Sequence, residues 1–223
     1  MDNGISHPEV GGFVVERAES MGLKFSPEQK KAFLHGCVTP DVAAKKKVAH
    51  FYGNHRERGW RAPDLALFRS AVEAAGGWTL ELLGVYVHLA ADVQFFRTFV
   101  AEKKSDGSIQ SEDGTTWPDG DTYKKKSLYE IYKANRVVPY DGLEDLVQLI
   151  WEAEPEETKL SELTLAGDWK KKFLNLAIPP EGFRLTPTLE GEVKRLRNLV
   201  DSVAEELVAD EWFMAALRKA LGA

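Results

Sequence analysis

The sequence predicts an all-α protein, a single-domain helical bundle built around one central helix. Helix start signals recur along the chain, whereas strict alternation of apolar and polar residues over the length of a strand is scarce. The 223 residues, 43% of them hydrophobic, are enough to bury one sizeable core. We therefore expect one domain over residues 1–223, with a long polar loop at 103–126.

The first three predicted helices each have a local signal in the sequence. Apolar residues recur at helical spacing over residues 10–21. The segment Ser26-Pro27-Glu28-Gln29 combines a capping residue, a proline at the first helical position and a glutamine at the third, so it predicts the start of a second helix. Thr39-Pro40 predicts the start of a third.

Two further helices follow, and the second of them is the longest apolar helix of the chain. Pro63-Asp64 begins a predicted helix over residues 65–75, which the glycine pair Gly76-Gly77 ends. Thr79 caps a helix that we expect to run from about residue 80 to residue 102. Its apolar residues surround most of its circumference, so this helix is predicted to lie at the centre of the bundle.

The polar segment 103–126 is rich in Gly, Ser and Asp and carries Trp117. It is predicted to be a long loop or a small hairpin, and long loops in compact domains are often lids or binding loops.

Helices are predicted to resume after this loop. Residues 127–130 and 141–144 both have the capping-box pattern, and a further helix is expected over 160–176. The last helical region spans about 189–221, with a bend near Asp210.

Composition restricts the protein class and the metal chemistry. No apolar run approaches the ~20 residues that cross a bilayer, and the first residues lack the pattern of a signal peptide, so we expect a soluble, cytoplasmic protein. The net charge of −6 argues against broad nucleic-acid binding. The single cysteine, Cys37, excludes an internal disulfide and a multi-thiolate site, so imidazole and carboxylate must hold any metal.

All five histidines lie within the first 88 residues. His88 and Asp92 are four residues apart, which places them on one face of a helix, close enough to share a metal ion. An ionised aspartate in so apolar a helix costs several kcal/mol unless a cation or strong donors compensate it. A hydrogen-bonded His–Asp pair is the simpler alternative, and Asp41 can equally be a carboxylate at a helix N-terminus.

An ordered set of motifs connects these residues. The chain contains an early His7, then Gly36-x-x-x-Pro40-Asp41, then His50-Phe51, then Gly84-x-x-x-His88-x-x-x-Asp92. This pattern, over about the first 100 residues, resembles the bacterial zinc-dependent phospholipase C family and the secreted single-strand nucleases that share its helical fold. The chain looks like a divergent, intracellular member of that group, and the resemblance implies a phospholipase C/nuclease-like helical fold.

The resemblance also implies a ligand set. The ligands of one zinc ion would be Asp41, His50, His88 and Asp92, and Asp92 would bridge to a second ion held partly by His7. The family holds another metal with two downstream histidines and a carboxylate, but this chain has no histidine after position 88. Glu130, Asp141 and Glu144 could substitute, although helix capping is their simpler role. We expect one or two ions, zinc first, with iron or manganese as alternatives.

The activity implied is hydrolysis of a phosphoester by metal-activated water, on a small phosphorylated or phosphodiester substrate. The candidate catalytic residues are Asp92, His55 and Arg56. The three arginines Arg56, Arg58 and Arg61 could clamp a phosphate, although an ordinary basic loop is the simpler explanation, as a surface residue is for His55. The alternative function is a non-enzymatic helical interaction module that retains a structural metal. The sequence indicates no oligomeric state.

Overall fold

The computed structural model describes residues 6–111, 114–138, 142–155 and 158–222, and most of them are helical. The α-helices are α1 (Ser6–Ser20), α2 (Pro27–Gly36), α3 (Thr39–Val42), α4 (Lys46–Ala49), α5 (Leu65–Ala75), α6 (Leu80–Gln94), α7 (Gly120–Tyr123), α8 (Tyr129–Val137), α9 (Leu143–Glu152), α10 (Trp169–Ala177), α11 (Pro187–Ala209) and α12 (Glu211–Leu221). Two π-helical segments, Phe95–Phe99 and Lys124–Leu128, and a 3-10 turn, Ser161–Leu163, accompany them.

The strands are short and form two separate sheets. A hairpin is made by β1 (Arg56–Glu57) and β2 (Trp60–Arg61). A three-stranded antiparallel sheet is made by β3 (Glu102–Lys103), β4 (Ile109–Gln110) and β5 (Thr116–Trp117), in that order. The expected loop at 103–126 is therefore a small sheet followed by α7 and most of the second π-helical segment.

Several predicted helix ends are confirmed by their capping contacts. Ser26 and Gln29 form the reciprocal capping box at the start of α2. The side chains of Asp64 and Thr79 accept hydrogen bonds from the first turns of α5 and α6. Asp210 ends α11 and caps α12, which is the bend expected in the last third of the chain.

The central helix is shorter than predicted, and α1 begins earlier. The regular α-helix ends at Gln94, and the wider π turn Phe95–Phe99 follows. The prediction that this helix continues to residue 102 was therefore wrong. Phe95 and Phe99 stack with ring centroids 4.9 Å apart in a core cluster distinct from the main one. In turn, α1 starts at Ser6 rather than at residue 10.

Other differences concern the C-terminal half. Ser127 lies inside a π-helical segment and caps nothing, and Glu130 pairs with Lys133 at 2.6 Å, so the capping box expected there was wrong. The helix expected over 160–176 is divided, because a 3-10 turn precedes α10. Asp141 lies outside the described residues.

Helix α6 lies in the main core and packs most closely against α2. A Cβ atom on Gly36 would lie 2.0 Å from the carbonyl oxygen of Glu81, and one on Gly84 would lie 2.0 Å from that of Phe33. The two backbones therefore touch, which only glycine permits. This contact places the C-terminal end of α2 beside His88. None of the described helices is long and apolar enough to cross a membrane.

Candidate metal centre

Side chains from four helical elements meet in one buried group, which we call the His/Asp cluster. It consists of His7, Asp41, His50, His88 and Asp92. Helix α1 supplies the first, α3 the second, the C-cap of α4 the third, and α6 the last two. The structure thus brings together all five residues that the sequence predicts as ligands. The first and last of them are 85 residues apart in the sequence.

The distances within the cluster suit a shared cation. His50 Nε2 lies 3.2 Å from His88 Nε2 and 3.5 Å from Asp41 Oδ1. His7 Nε2 lies 3.2 Å from Asp92 Oδ1, and its ring stacks on His88 with centroids 3.7 Å apart. Two overlapping groups have ligand atoms within 4.8 Å of one another, and these are His7/His88/Asp92 and Asp41/His50/His88. Both groups are positioned to hold a metal ion.

Backbone carbonyl groups fix the tautomers of two of these histidines. His88 Nδ1 donates to the carbonyl oxygen of Cys37 at 2.8 Å, and His50 Nδ1 donates to that of Lys46 at 2.7 Å. Since a carbonyl oxygen only accepts, the proton of each neutral ring must be on Nδ1. The two Nε2 lone pairs then face each other at 3.2 Å. That arrangement is repulsive unless a cation or an additional proton lies between them.

Burial and charge keep Asp41, His88 and Asp92 in the protonation states that metal binding needs. Each ligand is at most 6% exposed. Burial alone would raise the pKa of Asp41, but the Lys46 ammonium, 2.6 Å away, helps to hold that pKa well below its usual range. For Asp92, burial is similarly overcome, with the His7 hydrogen bond lowering the pKa. Burial, followed by the neighbouring His7, keeps the pKa of His88 well below its ordinary value. At neutral pH both carboxylates are charged and His88 is neutral.

Some polar atoms of the cluster are left without hydrogen bonds. Among the described residues, His7 Nδ1, Asp41 Oδ2 and Asp92 Oδ2 are buried and have no hydrogen-bond partner. A native interior rarely leaves charged oxygens in that condition. A bound cation would satisfy them.

A polar network beside His7 was missed by the sequence analysis. Glu9 is 1% exposed, and burial raises its pKa to about 7 despite the opposing charge of Arg197. Asn135 donates to Ser6 Oγ at 3.3 Å and accepts from Arg197 Nε at 3.3 Å. The network ties the first turn of α1 to α8 and α11. The sequence carried no signal for it, because the first helix was expected to begin after Glu9.

The remaining predicted site residues lie elsewhere in the structure. His55 is bonded to Glu57 at 3.0 Å with a 40% exposed side chain, and Arg56 donates weakly to the Gly59 carbonyl oxygen at 3.5 Å. Arg61 donates to the carbonyl oxygens of Tyr52 and Gly53. The structure therefore does not gather a phosphate clamp at the His/Asp cluster. Catalytic roles for His55 and Arg56 stay predictions.

The proposed downstream substitutes for the missing histidines are also accounted for. Glu130 is paired with Lys133, and Glu144 is exposed in the first turn of α9. The remaining histidine, His35, is buried and bonded to Glu81 at 3.0 Å. In the described part of the chain, every group of residues found able to hold a metal belongs to the His/Asp cluster.

Comparison with known proteins identifies no matching family model, no similar curated protein and no similar solved structure. The class that the fold and site define is a mostly helical protein with a buried group of histidines and aspartates positioned for a metal ion.

Proposed function

We propose that this protein is a metal-dependent hydrolase that acts on a phosphoester through metal-activated water. The observation that carries the proposal is the pair of Nε2 lone pairs directed at each other between two ionised carboxylates. Three imidazoles and two carboxylates are the ligand types that zinc prefers, and iron or manganese also accept them. A small phosphorylated or phosphodiester compound is the proposed substrate.

Each part of the cluster has a distinct task in this proposal. A bound metal supplies a water molecule whose pKa is lowered toward ~7. Asp41 and Asp92 balance the positive charge of the ion. The carbonyl groups of Cys37 and Lys46 hold the imidazoles of His88 and His50 with Nε2 free to coordinate, as outer partners of metal-bound histidines commonly do. The order of motifs shared with the zinc-dependent phospholipase C pattern supports the phosphoester assignment.

A structural metal is the second candidate, and one observation favours it. The cavity that reaches His7 and Asp92 has a volume of only 20 Å³ and is lined mainly by apolar residues of α1, α6 and α11. That space accommodates about one water molecule and no phosphoester. Hydrolysis therefore requires the cluster to become accessible by a movement, whereas a structural ion requires none.

Metal analysis and turnover of one substrate distinguish these candidates. The purified chain is loaded with zinc, manganese or iron, and hydrolysis of bis(4-nitrophenyl) phosphate is followed with and without chelator. We expect one or two ions per chain and chelator-sensitive turnover. His88→Gln should abolish both, whereas the matched control His35→Gln, also a buried histidine but outside the cluster, should keep the metal.

The other outcomes are equally specific. If the chain binds metal stoichiometrically but shows no turnover, the metal has a structural role and the hydrolase proposal is rejected. A chain that binds none of the three metals at neutral pH overturns both candidates.

A further inference from the structure

A second cavity, of 430 Å³, lies between the β1-β2 hairpin, the three-stranded sheet and the start of α11. None of the five residues of the His/Asp cluster lines it. Its volume is within the range of sites that hold small molecules, ~300–1,000 Å³. This cavity can therefore hold a small organic molecule, which the 20 Å³ cavity beside the His/Asp cluster cannot.

Three cationic side chains from separate elements line this cavity. Arg58 comes from the turn of the β1-β2 hairpin, Lys126 from the second π-helical segment, and Arg195 from α11. The chain as a whole carries a net charge of −6, so a wall with three cations departs from the average surface. Cations that converge from different elements are a common way to bind an anionic group.

Among the described residues, the lining also carries two carboxylates, Glu130 and Glu192. Glu130 forms an ion pair with Lys133, at 2.6 Å, and Glu192 lies 3.5 Å from Arg195 on the same helix. Glu130 thus has a cation outside the lining beside it, whereas Glu192 is paired with one of the three cations of the wall. Among the described lining residues, cationic side chains outnumber carboxylates by three to two.

Another part of the lining is apolar and aromatic. Phe99, Trp117, Ile131 and Leu189 line the cavity, and the guanidinium of Arg195 lies over the Phe99 ring, 4.8 Å from its centroid. The indole Nε1 of Trp117 is buried and has no hydrogen-bond acceptor among the described residues. A buried indole N–H normally has a partner. The cavity therefore offers an apolar, aromatic surface beside its cationic side chains.

The backbone at Arg58 is held in a conformation that few residues adopt. Arg58 has φ +47° and Gly59 φ +80°, which is the two-residue hairpin turn that asparagine and glycine favour. The backbone N–H of Lys103 donates to the Arg58 carbonyl oxygen at 2.9 Å. Gly59 lies so close to the Lys103 carbonyl oxygen that a Cβ atom on it would be 2.1 Å away. An arginine in this region is strained, and such strain is concentrated at functional positions.

We propose that this cavity binds a small organic anion that carries a flat ring. The acid group binds Arg58, Lys126 and Arg195, and the ring packs against Phe99 and Trp117. Phosphate, sulfate and carboxylate groups share the chemistry that these cations recognise. The site is independent of the metal centre and of its proposed activity.

Calorimetric titration of the full chain with naphthalene-1-sulfonate tests the proposal. This probe has an anionic group and a flat ring, but no ester bond to hydrolyse. We expect saturable binding that is at least tenfold tighter than that of sulfate or of 1-naphthol, which each represent one half of the probe.

Charge reversal at two adjacent lysines, one in the cavity lining and one outside it, tests whether the probe binds in this cavity. Lys126→Glu should weaken binding at least tenfold, because it reverses a charge in the cavity wall. Lys125→Glu is the matched control: the residue is exposed, belongs to the same π-helical segment and does not line the cavity. It should change the affinity less than twofold.

A third variant separates binding from folding. Asparagine adopts positive φ readily, so Arg58→Asn relieves backbone strain while it removes the cation. We expect weaker binding with a melting temperature equal to or above that of the wild type. Absence of saturable binding, or equal effects of Lys126→Glu and Lys125→Glu, would overturn the proposal whatever Arg58→Asn does to stability.

Discussion

At the scale of single residues, the decisive feature is the direction of the imidazole nitrogens. His50 and His88 each direct Nδ1–H at a backbone carbonyl oxygen, so the Nε2 atom of each ring, when neutral, can only accept. Sequence patterns could place these residues near each other, but they could not show the tautomers. That information depends on the ends of α2 and α4, whose relative position is a property of the folded chain.

Asp92→Ala should reduce metal content more than His50→Ala. Asp92 is an ionised ligand in an apolar helix, so its removal leaves cationic charge uncompensated. Loss of His50 leaves Asp41, His88 and Asp92, and three protein ligands with water suffice for zinc. Because His50 is only 1% exposed, the loss of either side chain disturbs the core, and the difference between the variants should lie in metal affinity rather than in folding alone. Metal stoichiometry and paired melting curves, with and without chelator, measure it.

Glu9→Gln should stabilise the protein above neutral pH. The folded pKa of Glu9 is raised to about 7 from 4.5, chiefly by burial, so the folded state binds the proton more tightly than the unfolded state. The contribution of Glu9 to the free energy of unfolding therefore falls as pH rises from about 4.5 to about 7. Removing the titration should stabilise the chain at pH 8 by up to about 3 kcal/mol relative to the wild type, with little gain at pH 4.

Urea unfolding at the two pH values, with chelator present, measures this effect. The exposed Glu16→Gln is the control, on the same helix, and should show no such pH-dependent gain. An equal change at both pH values would contradict the role of Glu9.

At the scale of elements, the contact between α2 and α6 positions the His/Asp cluster. Gly36 and Gly84 let the two backbones touch, and the same contact directs the Cys37 carbonyl oxygen at His88. Capping signals correctly predicted where α2, α5 and α6 begin, since caps depend on a few neighbouring residues. The ends were less predictable. The π turn after Gln94 and the small sheet that follows depend on how Phe95 and Phe99 pack in a cluster made by distant segments.

Gly84→Ala should destabilise the protein and weaken metal binding together. The added methyl group would meet the Phe33 carbonyl oxygen at 2.0 Å, so the helices must separate, at a cost of about 3 kcal/mol or more. Separation also draws the Cys37 carbonyl oxygen away from His88. Gly191→Ala is the matched control in α11, where a Cβ meets nothing within 4 Å, and it should stabilise by about 0.5–1 kcal/mol. Unfolding and zinc titrations of both variants provide the measurement.

At the scale of the whole molecule, the His/Asp cluster links the first helix to the core. The sequence predicted a mostly helical fold and the five members of the His/Asp cluster, because helical spacing and residue type are local properties. It gave no indication of the basic cavity, whose lining residues extend from Arg58 to Arg195. Sites made by distant segments, without a characteristic spacing, leave no local pattern to recognise.

Zinc should raise the melting temperature of the chain, and a chelator should lower it. The ligands come from α1, α3, α4 and α6, so an ion that binds them only when they are assembled stabilises the folded state. At a free concentration 100 times the dissociation constant, the gain is about 2.7 kcal/mol. His88→Gln should remove the zinc-dependent shift, whereas a chelator-insensitive wild type would show that the centre is not coupled to the fold.

The use of backbone carbonyl groups to orient the imidazoles of His50 and His88 has a consequence for mutational robustness. A carboxylate in that position can be lost by one substitution, but the carbonyl groups of residues 37 and 46 are present whatever side chains those positions carry. Cys37 and Lys46 can therefore vary without releasing the imidazoles, so long as α2 and α4 end where they do. The orientation of the histidines depends on helix geometry, so substitutions at the glycines that set the α2–α6 contact should disturb it more than substitutions at positions 37 and 46.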